Sequence, residues 1–210
     1  MTVRKVVTRR SWHFRGFLPS LKNGRPIPFE SILESNFLRL LEISPQVQTY
    51  QVQPTREHFM VGDKATTYVT DVAVQLRDGR ELWCEVKPSV HLAIGATKVR
   101  MASATQHFAS TSRRLLTFSE DVLSAEPRRT NLLTMMYHRR GPIPEEPAAT
   151  KLLISKAQPQ TISDLCDVLG DALAWRTLGL GQVGVDLEQI WSPASEIYLE
   201  GGHRHADIFA

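Results

Sequence analysis

The chain has 210 residues, 42% hydrophobic and 22% charged, with a formal net charge of +3, which suits a globular protein of one medium and one small domain. No apolar run approaches the roughly 20 residues of a membrane span, and the basic start lacks the apolar stretch of a secretion signal, so the expected location is cytoplasmic. Cys84 and Cys166 lie far apart and fit no zinc spacing, so they read as buried reduced thiols.

Residues 1–27 contain Gly16, Pro19, Gly24 and Pro26 without a long period, and are expected to form an irregular arm. Arg4, Lys5, Arg9, Arg10 and Arg15 crowd this arm with no acid among them, and Arg128, Arg129, Arg139 and Arg140 bracket a later segment. Such patches hold phosphates locally even at small net charge; a solvated arm fits the same composition. Trp12 and His13 could touch DNA or tether the arm to the core. Over 28–43, Ile32, Leu33, Phe37, Leu40 and Leu41 recur at helical spacing, with Pro28 suited to the first turn and Ser44-Pro45 as the stop. Strands are expected at 47–53, 59–61 and 66–76, the last rich in β-branched residues. Asp78-Gly79 signals a hairpin turn, with 82–86 as the returning strand. A helix follows over 92–112, then a strand at 114–118 and a short helix from 121. The 131–137 segment is mostly apolar. Gly141, Pro142, Pro144 and Pro147 mark 139–149 as a linker. Helices at 161–169 and 172–180 precede alternating runs at 183–187 and 196–199, the order of the last part of a winged helix. Trp175 and Trp191 are expected to pack in the core and wing, and His203 and His205 to sit in a solvated tail.

Four polar residues carry the candidate chemistry. Glu34 lies on the first helix, Asp71 inside the strand before the hairpin turn, and Glu85 and Lys87 at the end of the strand after it. Antiparallel pairing can return Glu85 beside Asp71. Period two puts Glu85 and Lys87 on one face. Carboxylate oxygens suit Mg²⁺, which polarises a phosphate and acidifies a bound water, while an ammonium orients that water or neutralises developing charge. Asp is disfavoured among β-branched strand neighbours, so Asp71 asks for an explanation such as a metal; a solvent-facing strand end is the other explanation. Glu85-Val86-Lys87 alone also fits an exposed strand face. Glu30 and Glu34 stand four residues apart on one helical face, and either could reach the metal.

The stretch 29–42 (Phe-Glu-Ser-Ile-Leu-Glu-Ser-Asn-Phe-Leu-Arg-Leu-Leu-Glu), then Pro45, Val47, Tyr50 and Gln53-Pro54, Tyr68-Val-Thr-Asp71 and Glu85-Val-Lys-Pro88, resembles the catalytic domain of the TnsA family. That family is the endonuclease subunit of heteromeric, Tn-seven-like transposases. The resemblance implies an α/β fold: a restriction-endonuclease-like PD-(D/E)xK core, its mixed central sheet flanked by helices, then a small winged-helix-like C-terminal domain. It implies a nuclease domain with a basic arm over 1–148 and the winged-helix-like domain over 149–210. The implied activity is Mg²⁺-dependent cleavage, with Mn²⁺ substituting, at the 5′ ends of a transposon during cut-and-paste transposition. Glu34, Asp71 and Glu85 would be catalytic metal ligands, Lys87 the catalytic lysine, and Gln53 a supporting residue. The implied partners are transposon-end double-stranded DNA, a DDE-type transposase subunit (TnsB-like) and an AAA+ regulator (TnsC-like). Thr70 stands where the motif has Pro, and Val72-Ala73 replaces a more usual aromatic-apolar pair. An inactive nuclease-fold adaptor between DNA and an ATPase, and a stand-alone restriction or repair nuclease, are the alternatives.

Overall fold

A computed structural model describes residues 14–140 and 147–209. Arg4, Lys5, Arg9, Arg10, Trp12 and His13, and the linker residues Gly141, Pro142 and Pro144, lie outside the described residues. The chain divides into two units: Met1–Glu42 with Gln46–Ala125, and Ile43–Pro45 with Glu126–Ala210. The division thus falls earlier than the expected 148/149.

In the first unit, β1 (Gly16–Ser20) and β2 (Arg25–Phe29) form an antiparallel hairpin in register Pro19↔Pro26. An irregular arm was expected from its glycines and prolines. A two-stranded ribbon has two open edges, where a proline's missing N–H costs no ladder bond, and the ribbon buries Leu18 and Ile27. Because β2 consumes Pro28 and Phe29, helix α1 spans Ile32–Ile43 and starts four residues later than its periodicity suggests. Its apolar stripe, Phe37, Leu38, Leu40 and Leu41, is fully buried.

Strand β3 (Val47–Val52) enters the central sheet. Strands β4 (Arg56–Val61) and β5 (Lys64–Val69) form a separate antiparallel ribbon turned at Gly62-Asp63. The run expected as one strand over 66–76 is therefore two: β5 ends at Val69 and β6 (Val72–Leu76) begins after Asp71. Their neighbours differ, which no local propensity records. Strand β6 turns through Asp78-Gly79 into β7 (Glu81–Val86). Gly79 has φ +90°, a conformation costly for other residues, and Asp78 Oδ1 accepts from Arg80 N at 3.0 Å. Two helices follow, α2 (Ser89–Leu92) and α3 (Gly95–Ser110), in place of the single one expected. Strand β8 (Leu115–Phe118) then pairs parallel to β7, and α4 (Glu120–Leu123) ends the unit.

The result is a mixed sheet, order β3-β6-β7-β8, flanked by helices. Trp83, Leu115 and Tyr68 pack with Ala104 and Phe108 of α3. Phe118, three residues from Leu115 and so on the opposite face, stacks on Phe37 of α1 at 4.9 Å. The β4–β5 ribbon is tied to the α3 region through Glu57, which accepts from Arg113 Nη1 and Nη2 at 2.7 and 2.8 Å and lies 2.9 Å from His107 Nε2.

The second unit contains α5 (Arg128–His138), α6 (Pro147–Ala157), α7 (Ile162–Leu169), α8 (Asp171–Gly179) and an antiparallel pair, β9 (Gly184–Val185) with β10 (Ile197–Tyr198). A reciprocal capping box, Thr161 with Asp164, starts α7. Helix α5 packs on α8 and so belongs to this unit, although it precedes the expected linker in the chain. The tail expected to be solvated is packed in part, with His203 inside and His205 exposed. His203 is buried, Arg204 bridges to Asp186, and His205 Nδ1 lies 2.8 Å from Asp186 Oδ1. Trp175 and Trp191 approach at 6.2 Å. Cys84 is buried and Cys166 half-buried, both as free thiols. Among the described residues no helix is long and apolar enough to cross a membrane.

Candidate active site

The site grows from the break between β5 and β6. Where the chain passes from the ribbon to the sheet, the Asp71 carbonyl accepts from Gln53 N at 2.8 Å. Gln53 follows β3 in a left-handed conformation, φ +45°, and is buried. One residue short of the last β6–β7 register pair, Val72↔Cys84, the Asp71 carboxylate extends the ladder: Oδ2 accepts from Val86 N at 2.8 Å. Asp71 therefore occupies a backbone donor that lies between Glu85 and Lys87. Hairpin return, expected from the Asp78-Gly79 turn, brings the three together.

Glu85 is 4% exposed. Its Oε2 accepts from Tyr68 OH at 2.6 Å and its Oε1 from Lys87 Nζ at 2.5 Å. Glu85 and Lys87 thus share a face, as period two requires. Tyr68 stands at the end of β5, and its ring lies in the Phe108 core with centroids 6.3 Å apart. Burial, then the Glu85 carboxylate, push the phenol upward, so it stays a protonated donor. Tyr68 is the functional neighbour that strand spacing did not single out. Its hydroxyl reaches Glu85 because the chain changes direction at Thr70 and Asp71, which an unbroken strand would not do.

Glu34 enters from α1. It lines a narrow cleft with Pro28, Leu38, Val52, Gln53, Asp71 and Val72, with room for about 10 Å³, close to one water-sized occupant. Its oxygens are engaged locally: Oε2 accepts from Glu30 N at 2.7 Å and Oε1 from Ser31 Oγ at 3.3 Å, while Ser31 Oγ accepts from Glu34 N. Ser31 therefore caps α1, and Glu34 holds the two residues that lead into the helix. Glu30 lies before α1, not on its face as expected. Glu30 accepts from Gln53 Nε2 at 3.5 Å and pairs with Arg15 at 3.5 Å.

The electrostatics converge on Asp71. Burial pushes its carboxyl well above the usual carboxylate range, Glu85 raises it further, and Glu34 adds to this. The Val86 N–H and Lys87 act in the opposite direction. Crowded, desolvated carboxylates of this kind are relieved by a proton or by a hard cation. The donor chemistry of Asp71, Glu85 and Glu34 fits a divalent ion. Their side-chain arrangement is not a preformed cage, because among the described residues no three His, Cys, Asp or Glu side chains are grouped to hold a metal. Glu34 would have to release Glu30 and Ser31, and Glu85 to share an oxygen now held by Lys87 or Tyr68.

The first unit is thus a mixed α/β domain with a central sheet flanked by helices, carrying a desolvated acid at the start of β6. No family model and no curated protein matches the chain.

Proposed function

We propose that the chain is a metal-dependent DNA endonuclease with a PD-(D/E)xK core, filling the role of the TnsA subunit in a heteromeric transposase. The observation that supports this best is Asp71: a carboxylate seated on the Val86 N–H, beside the Glu85–Lys87 pair, and raised by burial and by the neighbouring Glu85 and Glu34. Three acids and a lysine on a helix and a hairpin are the set that phosphodiester hydrolysis needs.

Asp71 and Glu85, with Glu34 released from Glu30 and Ser31, would hold Mg²⁺ or Mn²⁺. When bound, the ion supplies Lewis-acid polarisation of the scissile phosphate and a more acidic water. The remaining work belongs to the chain. Gln53 fixes the Asp71 backbone, and Tyr68 holds one Glu85 oxygen so that the other faces Lys87. The Lys87 ammonium offsets negative charge at the reacting phosphate or orients the attacking water. In this reading the second unit is the winged-helix-like domain, and the substrate is the 5′ end of transposon DNA, cut beside a TnsB-like DDE transposase under a TnsC-like AAA+ regulator.

The test uses end-labelled donor DNA, the partner subunits and Mg²⁺ or Mn²⁺. Wild type should cut the 5′ ends, and Asp71→Ala should not, while still folding and binding its partners. Undiminished cleavage by Asp71→Ala would refute the assignment. Wild-type binding without cleavage would instead favour the adaptor, and cleavage without partners a stand-alone nuclease.

A further inference from the structure

The second unit holds a cavity of about 310 Å³ that none of the candidate nuclease residues lines. Its walls include Ile162 and Cys166 of α7, Asp171 and Trp175 of α8, and Trp191 and Pro193 of the loop before β10. The two indoles are half-buried, with centroids 6.2 Å apart and planes inclined by 44°. Both are held by the surrounding chain. Trp191 Nε1 donates to the Asp186 carbonyl at 2.7 Å, and the Trp175 ring stacks on His138 at 4.9 Å. Ser163 N donates to the Pro193 carbonyl at 2.8 Å, which ties the loop to α7. The walls are therefore in place before anything binds, and that lowers the ordering cost of an occupant.

Size and charge define the occupant. The volume lies at the low end of the range for ligand pockets, about 300–1,000 Å³, and suits one long side chain. Asp171 is the charged group of the lining and is exposed. It accepts from the Cys166 thiol, and it enters none of the ion pairs among the described residues. Residues 157–202 contain seven acids and a single Lys or Arg, the buried Arg176, in a chain whose net charge is +3. Such a segment repels a nucleic-acid backbone and attracts a cation. Indole faces attract cations through the ring quadrupole. A guanidinium, planar and weakly hydrated, stacks on aromatic rings better than an ammonium does. We propose that this pocket takes an arginine side chain from a basic segment of a partner protein, with Trp175 and Trp191 against the guanidinium and Asp171 as its counter-ion. The site is separate from the nuclease reading and does not depend on it.

The test is a titration of the full chain, labelled with ¹⁵N, by the blocked tripeptide acetyl-Gly-Arg-Gly-amide. Citrulline and lysine replace the arginine in two further probes; citrulline keeps the shape and removes the charge. The arginine peptide should shift the indole N–H signals of Trp175 and Trp191 along a saturating curve. The citrulline peptide should bind about tenfold more weakly, and the lysine peptide between the two. Asp171→Asn should weaken the arginine peptide by about two- to fivefold, the scale of an exposed ion pair, and added salt should act in the same direction. Asp63→Asn, an equal change of charge in the first unit, should keep the affinity. No saturable shift with the arginine peptide, or equal curves for arginine and citrulline, overturns the proposal without any variant being needed. So does saturable binding that leaves both indole signals unmoved, or an unchanged affinity in Asp171→Asn. Tighter binding of the lysine peptide overturns the preference for a guanidinium. A duplex DNA oligomer that displaces the peptide would assign the pocket to nucleic acid instead and overturn the proposal.

Discussion

Replacing Asp71 by Asn tests the electrostatic core of the site through stability alone, with no cleavage assay. Asn keeps a carbonyl oxygen that can accept from Val86 N, where Asp71 Oδ2 now does at 2.8 Å, and removes the charge that Glu85 and Glu34 oppose. A carboxyl whose folded pKa is raised contributes its full stability when neutral. That contribution is present below the unfolded value, about 3.9, and is lost as pH rises through the raised folded value. At neutral pH without metal, Asp71→Asn should therefore stabilise the fold, by about 1–2 kcal/mol, the usual gain from relieving a local defect. For a chain of this size that moves the midpoint by roughly 2–4 °C per kcal/mol. Calorimetry at several pH values, with and without Mn²⁺, reads both halves. The gap between variant and wild type should close in acid, where wild-type Asp71 is protonated. Mn²⁺ should raise the wild-type midpoint and leave that of the variant unmoved. A variant no more stable than wild type at neutral pH would show that burial and the neighbouring carboxylates do not destabilise the Asp71 carboxylate.

Tyr68→Phe keeps the ring in the Phe108 core and removes the donor to Glu85; buried Glu85 then lacks one partner, so a urea series should record a loss of about 1–3 kcal/mol. An unchanged urea midpoint would remove Tyr68 from the site. Lys87→Ala should cut the cleavage rate by roughly 10²–10³-fold, the scale of one lost electrostatic group, with a smaller loss of Mn²⁺ affinity by titration calorimetry than in Asp71→Ala. Equal affinity losses would make Lys87 a structural partner of Glu85 only. Arg113, the largest influence, and His107 hold Glu57 down to about 2. A lowered acid stabilises above its ordinary value and loses that contribution as pH falls through the folded one. Glu57→Gln should therefore destabilise the protein at pH 7, and the difference should shrink from about pH 4 downward; a difference independent of pH would count against the Glu57–Arg113 contact.

Much of the fold was legible because its signals are local. The stripe of Phe37, Leu40 and Leu41 marks α1, the Asp78-Gly79 turn marks the β6–β7 hairpin, and period two puts Glu85 beside Lys87. Three features were not legible. The β1–β2 ribbon runs through Pro19, Pro26 and Pro28, which argue against strands unless an open edge accepts them. The break at Thr70 and Asp71 separates strands of equal propensity whose partners differ. The packing of His203 comes from the bridge between Arg204 and Asp186, eighteen residues apart in sequence.

The sequence by itself determined which acids were available and that a hairpin would return Glu85 toward Asp71, because turn chemistry and strand alternation act over a few residues. Tertiary structure decided how those acids are used. Burial raises Asp71, Tyr68 crosses from another sheet to hold Glu85, and Glu34 serves its own helix terminus before any ion. Desolvation and partner choice depend on which distant segments pack together, and spacing along the chain does not carry that information.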